Sequence, residues 1–400
     1  MASATTGNTQ LPLPKIALLN LGFRPFFLGA ALFAIGSVAL WMGVYAFQLP
    51  LQIEGISIFQ WHAHEMIYGF AVAVIAGFLL TAVKNWTGVQ TLYGLGLLGL
   101  FALWAAARIL FFFGTRFMGL AATLDILFIL CLIVAVAYPV FKVRQWKQMG
   151  IMAKLASLAI GNSCFYLGAA GFIENGVYIG IYGGLYLIIG LMLTMGRRLI
   201  PFFVEVGVGY PVKLLNSKWL DLSSLVLFLV FFIGEVFIGN QPISALLSIG
   251  LFIITSIRLV GWHTAGIWKQ PLLWSLFIAF LLIDVGFLLM ALLPFFNLSK
   301  LLAIHAFSFG GIGITTLSMM ARVSLGHTGR NVKNPPAATA VALVALIVGS
   351  IFRVGLPLIA ASHYLIWILA SQVLWIAAFL IFLFTYAAIL IKPRVDGQFG

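Results

Sequence analysis

Two imidazoles and a carboxylate stand side by side in Trp61-His62-Ala63-His64-Glu65-Met66, and a third imidazole, His305, stands alone in a distant apolar run. Neutral imidazole is the commonest protein ligand for transition metals and a standard axial ligand for haem iron, so metal or haem binding is the chemistry these residues would support. On a helix, positions two apart diverge by roughly 200°, so His62 and His64 cannot easily grip one ion. They serve two centres, or one binds while the other orients a neighbour. Glu65 is placed to accept the N–H of such a histidine. The competing reading is that all three histidines cap helix ends or meet lipid headgroups. Cys131 and Cys164 lie inside apolar runs with no CxxC or CxxCH motif, so neither a disulfide framework nor covalent haem attachment is expected.

The elements that position these residues follow from composition. Of the 400 residues, 63% are hydrophobic and only 8% charged, with a mean hydropathy of +1.15. A soluble domain carries about a quarter charged residues to cover its wet surface. Lipid must therefore be the solvent, and the fold class is all-α: a polytopic membrane helical bundle. Runs of about 20 apolar residues, the length needed to span a bilayer, recur along the whole chain and predict about twelve transmembrane helices. No linker divides them, so residues 1–400 read as a single transmembrane domain with a disordered N-terminal tail over 1–14. The similar RPFF at Arg24 and IPFF at Ile200 hint at two related halves.

The formal charge of +13 is spread over short loops rather than a stripe with interleaved aromatics, which excludes nucleic acid as a partner. On a twelve-helix reading, one side collects Lys15, Arg24, Lys84, Arg197, Arg198, Arg258, Arg322 and most other basic residues. The opposite side keeps only Arg108, Arg116, Lys300 and Arg353. The positive-inside rule then makes both termini cytoplasmic.

An ionisable side chain in hydrocarbon costs several kcal/mol, so each one inside a span is a functional candidate. His62, His64 and Glu65 fall at the outer end of the second span, and His305 falls about one turn into the tenth. Asp125, Asp284 and Arg353 also fall toward the outer face. The two aspartates either pair with Arg108 and Arg353 or mark a proton path inward. At the cytoplasmic face, Arg24, Arg197, Arg198, Arg322 and His327 form a second polar group. Beyond orientation, these residues could hold an anion or haem propionates through charge-assisted hydrogen bonds.

The WHAHEM run, Gly69-Phe70, AGFLLTAVKNWTG from Ala76 to Gly88, LGFRPFF near Arg24, MGRRLIPFF from Met195 and MMARVSLGHTGR from Met319 resemble the NnrS family, in order and over most of the chain. That resemblance implies a bacterial inner-membrane protein that binds non-covalent haem b and copper and is linked to nitric oxide and nitrosative stress. It also implies cofactor-binding roles for His62, His64, His305, His327, Arg24, Arg197, Arg198 and Arg322. Metal ligands would come from His62, His64 and His305; by its depth at the cytoplasmic face, His327 serves a distinct inner site or a loop hydrogen bond instead. Glu65, Asp125 and Asp284 become supporting or proton-path residues. Expected partners are the lipid bilayer, nitric oxide or a related small molecule, and a membrane electron donor. The rival reading is a transporter or export factor for a metal, haem or nitrosylated species.

Overall fold

The computed structural model describes residues 16–51, 53, 55–113 and 117–400; the expected 1–14 tail, Lys15 and Arg116 lie outside the described residues. Among the described residues, eleven helices are long and apolar enough to cross a bilayer, one fewer than the twelve expected, and the remaining apolar helix is shorter. In chain order they are α1 (Phe23–Phe47), α2 (Ile58–Thr87), α3 (Gly94–Leu110), α4 (Met118–Lys142), α5 (Trp146–Ala169) and α6 (Gly176–Gly207). The second six are α7 (Lys218–Ile238), α8 (Gln241–Trp262), α9 (Pro271–Leu292), α10 (Lys300–His327), α11 (Ala337–Ile359) and α12 (Ala361–Ile391). At about 1.5 Å per residue, the 17 residues of α3 cover about 25 Å, short of a hydrocarbon core about 30 Å thick.

Burial sorts these helices into layers. The apolar windows of α2 and α10 are 78% and 72% buried, whereas those of α4, α7 and α12 are only 33% buried. The first pair therefore forms the centre, and the other three face lipid. Helix α1 packs against both α2 and α12, which brings the two ends of the chain together. RPFF lies in the first turn of α1 and IPFF near the end of α6, so this sequence likeness marks no equivalent position in two halves.

Close approach of α5 and α6 depends on glycine. A Cβ on Gly176 would strike the Cys164 carbonyl, and one on Gly180 would strike the Phe165 side chain. Small residues serve this purpose in membranes because lipid supplies no hydrophobic drive between helices, leaving van der Waals contact to hold them. Within α6 the Gly180 carbonyl also accepts from Tyr68 Oη at 2.7 Å, which ties α2 to α6.

Four stretches wind as π-helix: Glu65–Ala71 in α2, Gly234–Ile238 in α7, Ala306–Gly313 in α10 and Ile351–Gly355 in α11. A π turn leaves carbonyls unpaired, and in hydrocarbon another group must satisfy them. At Gly69 that group is the Trp104 indole N–H, at 2.8 Å.

Gly176→Ile should force α5 and α6 apart and cost about 1–3 kcal/mol, the usual price of overpacking. A lowered melting temperature of the detergent-solubilised protein is the expected result; an unchanged one would show that α5 and α6 can separate freely.

Candidate functional site

The outer end of α2 is fixed before its histidines begin. Ser57 caps the helix: its Oγ accepts from Gln60 N at 3.2 Å, and Gln60 Oε1 accepts from Ser57 N at 2.7 Å. His62 and His64 then diverge, as their spacing requires. His64 and Glu65 face α3, α4 and α5 and form a closed polar network there. His64 Nδ1 meets Glu65 Oε1 at 2.9 Å, and its Nε2 meets Asn162 Oδ1 at 2.8 Å. Asn162 Nδ2 donates to Asp125 Oδ2 at 2.9 Å, and Tyr166 Oη donates to the same oxygen at 3.0 Å. Arg108 bridges the acids, with Nη1 on Glu65 at 2.9 Å and Nη2 on Asp125 at 2.5 Å. His64 meets a polar partner at each nitrogen and Arg108 spans both carboxylates, so the buried polar groups satisfy one another where no water can solvate them. Trp61, Phe111, Ala121, Phe165 and Tyr166 form an apolar cluster around the network.

His62 points the other way, into a cavity of about 380 Å³ shared by α1, α2, α6, α10, α11 and α12. Its ring stacks on Trp41 at 4.5 Å with 11° between planes, and its Nδ1 is buried without a hydrogen-bond partner. His305 lines the same cavity. Its Nδ1 donates to Leu301 O at 2.7 Å, which leaves Nε2 to accept from Arg353 Nη2 at 2.8 Å. Arg353 Nη1 donates to Tyr364 Oη at 3.2 Å. Gln372 adds an amide whose oxygen and nitrogen are both buried and unpartnered. Three of the four π segments reach this cavity, through Met66, Ile67 and Phe70, through Ser308, Phe309 and Ile312, and through Arg353. Such bulges gather at functional sites because they re-aim side chains within a helix.

The histidine trio thus divides. His62 and His305 share the cavity, and His64 belongs to the network. Among the described residues, no group of three or more His, Cys, Asp or Glu side chains is placed to hold a metal ion. The polar atoms left over, His62 Nδ1 and the Gln372 amide, fit a group ligated by one imidazole with further hydrogen bonds; they do not form a three-histidine metal site. Asp284 stands apart, accepting from Ser256 Oγ at 2.6 Å, and pairs with no arginine. Of the two expected aspartate–arginine pairs, only Asp125–Arg108 is formed.

The cytoplasmic arginines divide as well. Arg24 is fully buried and holds the end of α12, donating to Leu390 O at 2.6 Å, Lys392 O at 2.8 Å and Gly400 O at 2.9 Å. Arg197 and Arg258 share Asp221, at 3.0 and 2.8 Å. Arg198 donates to Gln148 Oε1 at 3.0 Å. Arg322 and His327 are the members of the group that line an inner cavity, with His327 Nε2 accepting from Asn85 Nδ2 at 3.4 Å. Asn162 and Gln372 were missed at the sequence level because they carry no charge. The signal was present all the same: each is an amide in the middle of a lipid-spanning run.

Arg108→Met should leave two buried carboxylates against one imidazole and cost about 3–5 kcal/mol. Asp284→Asn keeps an acceptor for Ser256 and should cost about 1 kcal/mol or less. Melting temperatures of the two purified variants should differ clearly; equal losses would mean the network carries no special weight.

A family model described as NnrS protein matches residues 17–394, nearly the whole chain. No curated protein matches it at a significant level. With α2 presenting His62 and His64 to opposite sides and the match running from the start of α1 past the end of α12, this multi-span helical membrane protein belongs to the NnrS family.

Proposed function

We propose that the chain acts in nitric oxide metabolism or in resistance to nitrosative stress, as a haem- and copper-binding protein of the bacterial inner membrane, with its cofactor in the outer cavity. The observation that carries this reading is the convergence of His62, His305, Arg353 and Gln372 on one space, with His62 Nδ1 and the whole Gln372 amide unpartnered. Family membership supplies the general link to nitric oxide. When bound, haem supplies an open iron position suited to a diatomic ligand.

The side chains have separate parts in this proposal. Trp41 holds the His62 ring in one plane, so its nitrogen is presented without rotational freedom. His305 would offer its Nε2 as a further nitrogen donor, and Arg353, which now donates to that nitrogen, would pair with an acidic group of the cofactor. Tyr364 keeps Arg353 within reach. His64, Glu65 and Asp125 set the rotation of α2 and do not ligate. A membrane electron donor would be needed for turnover.

Transport of a charged cargo is the weaker reading. Between the outer and inner cavities lies a space of about 100 Å³ walled by apolar side chains, with only Thr315 and Thr316 polar. An ion crossing it would lose its hydration without gaining a partner.

His62→Ala and His305→Ala should each lower bound iron or copper about 10- to 100-fold, the scale seen when a metal site is disturbed. Inserted protein and helix content should stay unchanged. Metal analysis and absorption spectra with and without nitric oxide read this directly. Full retention of both metals in both variants would remove the outer cavity from consideration.

A further inference from the structure

The inner cavity, about 370 Å³ between the inner ends of α2, α6 and α10, is a different kind of space. Its walls are apolar, with Phe78, Phe203 and Met319 prominent, and none of its described lining residues is Asp or Glu. Arg322 reaches into it. The guanidinium lies 4.2 Å over the Phe203 ring and donates from Nη2 to Leu272 O at 2.9 Å, while its Nε is buried with no partner. Lys333, exposed at the rim, adds a second positive charge. Phe202 and Val206, 57% and 53% exposed, carry the wall onto the lipid-facing surface of α6.

A cation with an unused buried donor, no counter-charge and a greasy wall running out to the bilayer defines its ligand. That ligand brings an oxyanion to Arg322 and an apolar body to α6. We propose that this cavity binds an anionic phospholipid of the cytoplasmic leaflet, its phosphate on Arg322 with Lys333 at the rim and its chain along Phe202, Phe203 and Val206. Basic pockets between helices on the cytoplasmic side recognise such headgroups. His327, held by Asn85 and lying 5.8 Å from the Phe23 ring, forms the wall behind the headgroup. This site is independent of the outer cavity and stands whether or not a cofactor binds there.

Native mass spectrometry of the full-length protein, released from mild detergent with equal amounts of phosphatidylglycerol and phosphatidylcholine, tests the assignment. The wild type should retain phosphatidylglycerol at least about ten-fold over phosphatidylcholine, the scale of one charge-assisted hydrogen bond, and Arg322→Gln should abolish the preference. Equal retention of the two lipids by the wild type overturns the proposal. So does an undiminished preference in an Arg322→Gln protein that melts like the wild type. Should that variant fail to insert, Arg322→Lys and Lys333→Gln decide: a weakened preference in either supports the site, and an unchanged one in both overturns it.

Discussion

The outer half of this bundle depends on one fact about hydrocarbon: it cannot solvate a charge. His64, Glu65, Arg108 and Asp125 exist there because they solvate one another, with Asn162 and Tyr166 completing the shell. The network draws on α2, α3, α4 and α5, so it sets the positions of four helices at one depth. It also sets the rotation of α2. With His64 and Glu65 locked on one side, His62, about 200° away around the helix, must face the opposite side. The presence of His62 in the outer cavity is therefore a consequence of charge pairing elsewhere on the same helix. A buried pair of this kind adds little net stability over an apolar substitute, but losing one partner is costly. Such an arrangement specifies geometry more than it strengthens the fold.

Three helices carry the chemistry from face to face. Each of α2, α6 and α10 starts at the outer cavity and ends at the inner one. Their outer ends bear His62, Tyr178 and His305, and their inner ends bear Asn85, Phe203 and Arg322. The middle is apolar, and it insulates the two polar ends from each other. Neutral diatomic molecules dissolve in such a region, whereas ions and protons do not cross it. Two cavities on one shaft can therefore differ in charge without leaking into each other.

The sequence foretold the helices well and the site only in part, for a physical reason in each case. Spans are legible because lipid demands an unbroken apolar run, a demand that eleven of the described helices meet in full and that α3 meets in composition but not in length. Depth is legible because rise per residue is fixed, so His62, His64, His305 and Arg353 were all placed at the outer end. Rotation is not legible: nothing in WHAHEM says which histidine turns inward until the partners on α3 to α5 are known. The arginines show the same limit. Arg197 and Arg322 look alike by depth and by the positive-inside rule, yet Asp221 pairs with the first and no acid pairs with the second.

Arg353 makes the comparison sharper. Arg108, at the same end of the bundle, meets two carboxylates. The partners of Arg353 are the His305 imidazole and the Tyr364 hydroxyl, both neutral, and none of the described residues lining its cavity is Asp or Glu. A guanidinium stays charged at any pH the membrane meets, so the cavity carries a positive charge that the protein leaves unbalanced. In a medium that penalises lone charge, that imbalance favours an occupant bringing negative charge of its own. The guanidinium rests meanwhile on the His305 lone pair and the Tyr364 hydroxyl. An anion at Arg353 would compete with His305 Nε2 for the same guanidinium N–H, so the two contacts are coupled through one side chain.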